Sequence, residues 1–352
     1  MSDYKAILQQ EIQDLKDRVA SAKMPDEMRK KVSKDVVALE RSVELGSYDE
    51  KYEKVSRYVD WVLKIPWEEE SADELDIEKT KQVFESHHFG MREVKERFLE
   101  YISVLKLKSM QTEGGDFRAP VLLLVGLVGT GKTTFAYSLA EAMNRKIVRI
   151  PFGGMASSKD LRGQSRLNLE SEPGMVIKGI CQAGVRNPII LLDEIDRSAE
   201  ETRMDIMGVL VELLDPAQNH AFVDNYVDYP VNLSHAIFLA TANNTVNIAT
   251  AVMDRMEKIT MPSYTDQEKI VIGQNYILPQ LLKDAGLRPE QLIIEEKLWG
   301  KMTRPLGYDA GIRTLQRTLQ SVVRKAARIV VEKGYSEVVV NEQTSKIFLP
   351  QF

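Results

Sequence analysis

Gly126-Leu127-Val128-Gly129-Thr130-Gly131-Lys132-Thr133 lies between an apolar run, Val121-Leu122-Leu123-Leu124-Val125, and a helical stretch from Lys132 to Met143. The spacing G-x-x-x-x-G-K-[ST] in that setting predicts a strand, a phosphate-cradling loop and a helix. Glycines let backbone N–H groups turn inward around phosphates, and the helix N-terminus adds unpaired amides and partial positive charge. Lys132 is expected to reach the β- and γ-phosphates, and Thr133 to place its hydroxyl on magnesium. With Thr134 included, the stretch reads as the binding segment for ATP or ADP with Mg2+.

Working outward, Lys146–Ile150, Ile189–Leu192, Ala236–Ala240 and Ile259–Met261 are further apolar runs separated by helical pattern. Such alternation predicts a parallel sheet covered on both faces by helices. The run Ile189–Leu192 leads directly into Asp193-Glu194. A carboxylate pair on a buried strand after a phosphate loop puts Asp193 beside the metal and Glu194 beside the attacking water. Asn243, just past Ala236–Ala240, is placed to hold that water. Arg255 suits an arginine finger acting on a neighbouring subunit's nucleotide, and Arg313, opening a helix, suits a γ-phosphate sensor.

The flanks differ in character. Leu8, Ile12, Leu15 and Val19, then Met28, Val32, Val36, Leu39 and Val43, form two stripes separated at Pro25. They predict two helices, with the patch from Val59 to Trp67 seating them on the body. Residues 75–108 read as helix, Gly114-Gly115-Asp116 as a loop, and 266–333 as helix throughout, with a small strand at Val338–Val340. The expected domains are an arm (1–75), an α/β nucleotide-binding domain (76–262) and an all-helical lid (263–352).

Composition narrows the function. The formal charge is −5, with 47 basic and 52 acidic residues interspersed. That is no footprint for nucleic acid, which is not an expected partner. Cys181 is the only cysteine, which excludes an internal disulfide and reads as a small buried hydrophobe in a reducing compartment. No apolar run approaches the roughly 18 residues of a membrane span, and MSDYKAILQQ is not a secretory signal. A cytoplasmic protein is expected.

Beyond these motifs, the chain resembles the AAA+ module of the Lon protease family. The resemblance rests on Ile150-Pro151-Phe152-Gly153-Gly154, Leu161-Arg162-Gly163, Pro173-Gly174, Asn187-Pro188 and Asp193-Glu194-Ile195-Asp196. It continues through Glu212–Asn219, Ala240–Asn244, Asp254-Arg255-Met256-Glu257 and Ala310–Arg317, with Tyr58–Trp61 and Pro66-Trp67 upstream. It implies functional roles for Lys132, Thr133, Asp193, Glu194, Asn243, Arg255 and Arg313. It also places His88, Phe89 and Gly90 at the border of the adenine. By the same resemblance the module forms hexameric rings and uses ATP to pull unfolded protein substrates through a pore toward a serine–lysine peptidase.

Two departures stand out. The chain stops at Phe352, where the family's peptidase would begin, so peptide-bond cleavage would need a separate peptidase domain. Between Gly163 and Pro173, where the family carries an aromatic, an aliphatic and a glycine, this chain reads Asn168-Leu169-Glu170, with Glu172 nearby. Less apolar area and a negative lining predict a weaker grip on substrate, or one biased toward basic segments. A nucleotide-binding scaffold with little hydrolysis is the alternative reading, opposed by the intact Asp193, Glu194, Asn243 and Arg255. A DNA-remodelling AAA+ protein would need a basic stripe that is missing.

Overall fold

A computed structural model describes residues 2–44, 49–111, 119–168, 170–304 and 311–349. The loop expected at Gly114-Gly115-Asp116, and Leu169, Ala310 and Phe352, lie outside these, as does the side chain of Val43. Helices α1 (Ser2–Ser21), α2 (Asp26–Glu44) and α3 (Asp49–Lys64) make the arm. The two apolar stripes meet: Leu8, Ile12, Leu15 and Val19 are buried against Met28, Val32, Val36 and Leu39. Past the end of α1, the Arg29 guanidinium donates to the carbonyls of Val19, Ala20 and Ala22 at 2.7, 3.0 and 2.8 Å, satisfying acceptors the helix leaves open.

The aromatic patch seats the arm on the body. Tyr58 packs edge-on against Tyr226 and donates to the Val227 carbonyl at 3.1 Å, and Trp67 meets Tyr229 at 5.9 Å between centroids. Arm side chains and one face of the sheet form a single apolar cluster. Two helices, α4 (Ile77–His87) and α5 (Arg92–Gln111), follow. The single helix expected over 75–108 is therefore broken, because Gly90 and Met91 take left-handed φ values of 66° and 50°.

The body alternates as the apolar runs require: β1 (Val121–Val125), α6 (Lys132–Ala142), β2 (Ile147–Pro151), α7 (Ser158–Arg162), α8 (Met175–Ala183) and β3 (Ile189–Asp193). Next come α9 (Arg203–Leu214), a short antiparallel pair β4 (Phe222–Val223) and β5 (Pro230–Val231), then β6 (Ile237–Ala242), α10 (Thr250–Met253) and β7 (Met256–Thr260). The fifth strand thus starts earlier than the Ile259–Met261 run suggested. Five strands pair in parallel in the order β2-β3-β6-β1-β7. The inner strands β1, β3 and β6 are buried at every position, whereas the edge strands β2 and β7 carry exposed residues. Insertion of β6 between β1 and β3 brings their carboxyl ends side by side, where ligands bind in open α/β sheets.

The C-terminal region has its own apolar core. It comprises α11 (Asp266–Ile272), which continues through a π turn into α12 (Leu278–Asp284), then β8 (Leu292–Ile294), α13 (Glu296–Thr303), α14 (Arg313–Lys333), β9 (Val338–Val340) and α15 (Ser345–Phe348). Residues 266–333 are therefore not helical throughout. Leu292–Ile294 forms a strand because Val338–Val340, far along the chain, pairs with it in parallel. Cys181 is partly buried on α8, and burial pushes its thiol up to about 12, as suits a structural cysteine.

Candidate nucleotide site

Between β1 and α6 the loop turns through Gly129 and Gly131, whose φ values of 83° and 91° are strained for any residue with a β-carbon. Lys132 lies across the loop. Its ammonium donates to the carbonyls of Gly126 and Leu127 at 2.6 and 2.9 Å and to Asn243 Oδ1 at 3.2 Å. Burial pulls its pKa down, while Glu194 and Asp196 pull it back up. Thr130 is buried and donates to the Leu127 carbonyl at 2.8 Å, which stiffens the turn.

Across the loop stands the carboxylate pair. Thr133 donates to Asp193 Oδ1 at 3.2 Å, and Thr241 of β6 donates to the same oxygen at 2.6 Å. Thr241 also accepts the Glu194 backbone amide at 2.8 Å, so one hydroxyl ties the Asp193 carboxylate to the main chain of Glu194. Glu194 itself adopts φ 57°, a left-handed turn that ends β3 abruptly. Arg149 of β2 contacts Asp193 Oδ2 at 2.7 and 2.6 Å. Asn243 follows β6 directly, and its Nδ2 is buried without a hydrogen-bond partner among the described residues. Its backbone amide, with that of Asn244, donates to the buried Asp196 at 3.2 and 3.4 Å.

The lid closes the site from above. The Ile312 amide donates to the Gly129 carbonyl at 3.2 Å, so the start of α14 rests on the phosphate loop. A cavity of about 150 Å³ lies between Gly129, Gly131, Lys132, Thr133, Thr134, Asp193, Glu194, Asn243 and Arg313. A second, of about 330 Å³, shares Gly131, Thr134, Ile312 and Gln316 with it and is walled by His88, Phe89, Tyr264 and Tyr276. The first is lined mainly by polar and charged groups, and the second largely by aromatic and apolar side chains. His88 stacks on Phe135 with centroids 3.6 Å apart and bonds Ser138 at 2.9 Å. Burial pushes its pKa down to about 3, so it serves as a neutral wall.

Most of the expected residues converge here. Gly126, Leu127 and Thr130 contribute backbone geometry rather than lining. Gly90 does not line either cavity; its left-handed φ makes the turn after Phe89. Arg255 also lies elsewhere, donating to Asp215 Oδ2 at 3.0 Å and the Ala251 carbonyl at 2.8 Å, with its Nε buried and without a hydrogen-bond partner among the described residues. Sequence reasoning missed Arg149, Thr241, Tyr264, Tyr276 and Gln316. Only Thr241, adjacent to the Asn243 motif, carried a local signal.

Magnesium fits this donor set. Among the described residues no cluster of three or more His, Cys, Asp or Glu could hold a metal by itself. Mg2+ commonly takes one or two protein oxygens and completes its shell with phosphates and water, which Thr133 and Asp193 allow.

The segment flagged between Gly163 and Pro173 is pinned at its base. Asp224 accepts the Gly174 amide at 2.7 Å, and the Gln164 amide bonds the Glu172 carbonyl at 3.3 Å. The Arg166 guanidinium sits 3.9 Å from the Tyr58 ring and 3.0 Å from Asp35, tying the loop to the arm. Leu167 is 83% exposed, and Asn168 and Glu170 are exposed beside it. The negative lining expected from Glu172 is reduced, because Lys178 pairs with it. A larger cavity of about 900 Å³ opens between this loop and the arm, away from residues 126–133 and from Asp193 and Glu194; Lys54, Arg57, Lys159 and Arg166 line it together with Asp35 and Asp228.

A parallel sheet with a phosphate loop, an adjacent carboxylate pair and a helical lid defines an AAA+ ATPase. Residues 122–264 match the model of the ATPase family associated with various cellular activities, and residues 283–339 match that of the Lon protease AAA+ ATPase lid domain. Together the two matches fit an AAA+ ATPase module of the Lon type. The chain is 37% identical to Lon protease 2 of Thermus thermophilus over 98% of its own length, and 40% identical to Lon protease 1 of that organism over 96%. It is 38% identical to Lon protease of Dictyoglomus thermophilum over 94%. The chain spans 43, 42 and 40% of those relatives, respectively. Among the described residues, no helix is long and apolar enough to cross a membrane.

Proposed function

We propose that the chain binds Mg–ATP between the phosphate loop and the lid and hydrolyses it to power movement of unfolded protein. The observation that carries this reading is the convergence of Lys132, Thr133, Asp193, Glu194, Asn243 and Arg313 on one small cavity. Lys132 exchanges the carbonyls of Gly126 and Leu127 for phosphate oxygens. Magnesium, held through Thr133 and Asp193, supplies charge neutralisation at the phosphates. Glu194 polarises the attacking water, and the unpartnered Nδ2 of Asn243 holds it in place. Arg313 reads the γ-phosphate from the lid, and the purine lies between His88, Phe89, Tyr264 and Tyr276.

In this reading the arm covers residues 1–75, the nucleotide domain 76–262 and the lid 263–352. Arg255, remote from its own chain's cavity, acts in a cytoplasmic hexameric ring on the neighbouring subunit's nucleotide. Unfolded proteins are the substrates, gripped by the loop that carries Leu167 and Asn168, with peptide cleavage left to a peptidase domain. Steady-state ATPase with Glu194→Gln is the test. The variant should keep ADP affinity within about twofold and lose about a hundredfold or more in turnover. Unaltered turnover would refute the role of Glu194.

A further inference from the structure

β2 is an edge strand, and its register puts Pro151 opposite Asp193. Arg149, two residues earlier on the same face, is therefore the diagonal neighbour of Asp193. Such a separation is about 7–8 Å between strands, within reach of a long side chain. Its Nε and a terminal nitrogen approach Oδ2 at 2.7 and 2.6 Å. Thr133 and Thr241 occupy Oδ1. The carboxylate side chain is 4% exposed, whereas that of Arg149, on the edge strand, is 51% exposed.

The two ends of this contact differ in what they lose when it breaks. A half-exposed guanidinium can turn into water at little cost. A buried carboxylate cannot, and it must find another cation or rely on hydroxyl donors alone. The carboxylate assigned to the metal thus already carries a charge-assisted contact on one oxygen.

We infer that Arg149 is a positioning residue that competes with the divalent cation for Asp193 and so sets how much magnesium nucleotide binding demands. The inference rests on the reading of Asp193 as the metal carboxylate. Attraction of a divalent ion to Asp193 is reduced by whatever the guanidinium gives up in sharing or leaving Oδ2. Arg149 also holds the carboxylate in one rotamer from the side opposite Thr133 and Thr241. The site is therefore oriented in advance but weaker for metal than its charges alone would make it.

The test titrates magnesium into the full chain with a fluorescent ADP at fixed concentration, for wild type, Arg149→Gln and Arg149→Lys. A parallel series contains EDTA. Arg149→Gln should lower the half-saturating magnesium concentration about fivefold, the upper end of what an ion pair with one half-exposed partner is worth. Arg149→Lys, which keeps charge but not the paired donors, should fall between. In EDTA, neither variant should bind ADP more tightly than wild type. An unchanged or raised magnesium midpoint in both variants overturns the competition. So does a change confined to the melting temperature, which is all a structural role would produce. If the wild type binds ADP equally well with and without magnesium, the metal reading of Asp193 fails first and this inference with it.

Discussion

Replacing Gly311 by alanine tests whether the lid must rest on the phosphate loop for nucleotide to bind. A β-carbon at Gly311 would lie 2.4 Å from the Val128 carbonyl oxygen and 2.7 Å from both the carbonyl carbon and Cα of Gly129. These are backbone atoms, so no side chain can move aside. Ordinary contact lies nearer 3.5–4 Å, so the start of α14 would retreat by roughly an ångström. That retreat stretches the Ile312–Gly129 hydrogen bond, now 3.2 Å, whose net worth is about 1 kcal/mol. It also draws Ile312, Arg313 and Gln316 away from the cavities they line. A total of about 1–2 kcal/mol corresponds to a roughly five- to thirtyfold loss of ADP affinity. Fluorescent-ADP binding, with a melting curve to confirm folding, measures it. Gly208 on α9 is the control, because a β-carbon there meets nothing within 4 Å and should leave affinity unchanged. Wild-type affinity in Gly311→Ala would refute the lid contact.

Arg255→Ala should leave ADP affinity of the single chain within about twofold while cutting turnover of assembled rings about a thousandfold, the scale of an arginine finger. Full turnover in rings of normal mass would sink the trans role. Burial lowers the pKa of His88 from 6.5 to about 3, so between those values the unfolded chain holds a proton that the folded one excludes. Its contribution to stability is complete above about pH 6.5 and is lost as the pH falls toward 3. The melting temperature should decline from pH 7 to pH 5, less steeply in His88→Gln; equal slopes would contradict the assignment. Asn168→Tyr should raise ATPase stimulation by an unfolded protein, since an aromatic adds apolar grip beside the exposed Leu167. No difference from wild type would count against the loop as the substrate contact.

Where the sequence reading failed, it failed at breaks and at pairings. Periodicity carried a helix straight through His88–Met91, because the apolar stripe resumes in phase after two left-handed residues interrupt the backbone. Leu292–Ile294 offered too short a run to stand out, and it is a strand only because β9 returns to it. Glu172 looked like free charge until Lys178, six residues on, folded back over it.

Local chemistry did determine much. Glycines at 129 and 131 demand left-handed turns, an unbroken apolar run demands a buried strand, and two acids at a strand's end demand a cation or a reaction. Those constraints act within a few residues, so they are written in consecutive letters. The assembly of the site is another matter. Thr241 meets Asp193, Asn243 meets Lys132 and Arg149 meets Asp193 only because β6 slots between β1 and β3 while β2 takes the edge. Strand order and register arise from the burial of both sheet faces at once, a property of the whole packed body that no single segment carries. The walls contributed by Tyr264 and Tyr276, and the seat of Ile312 on Gly129, likewise depend on where the lid comes to rest.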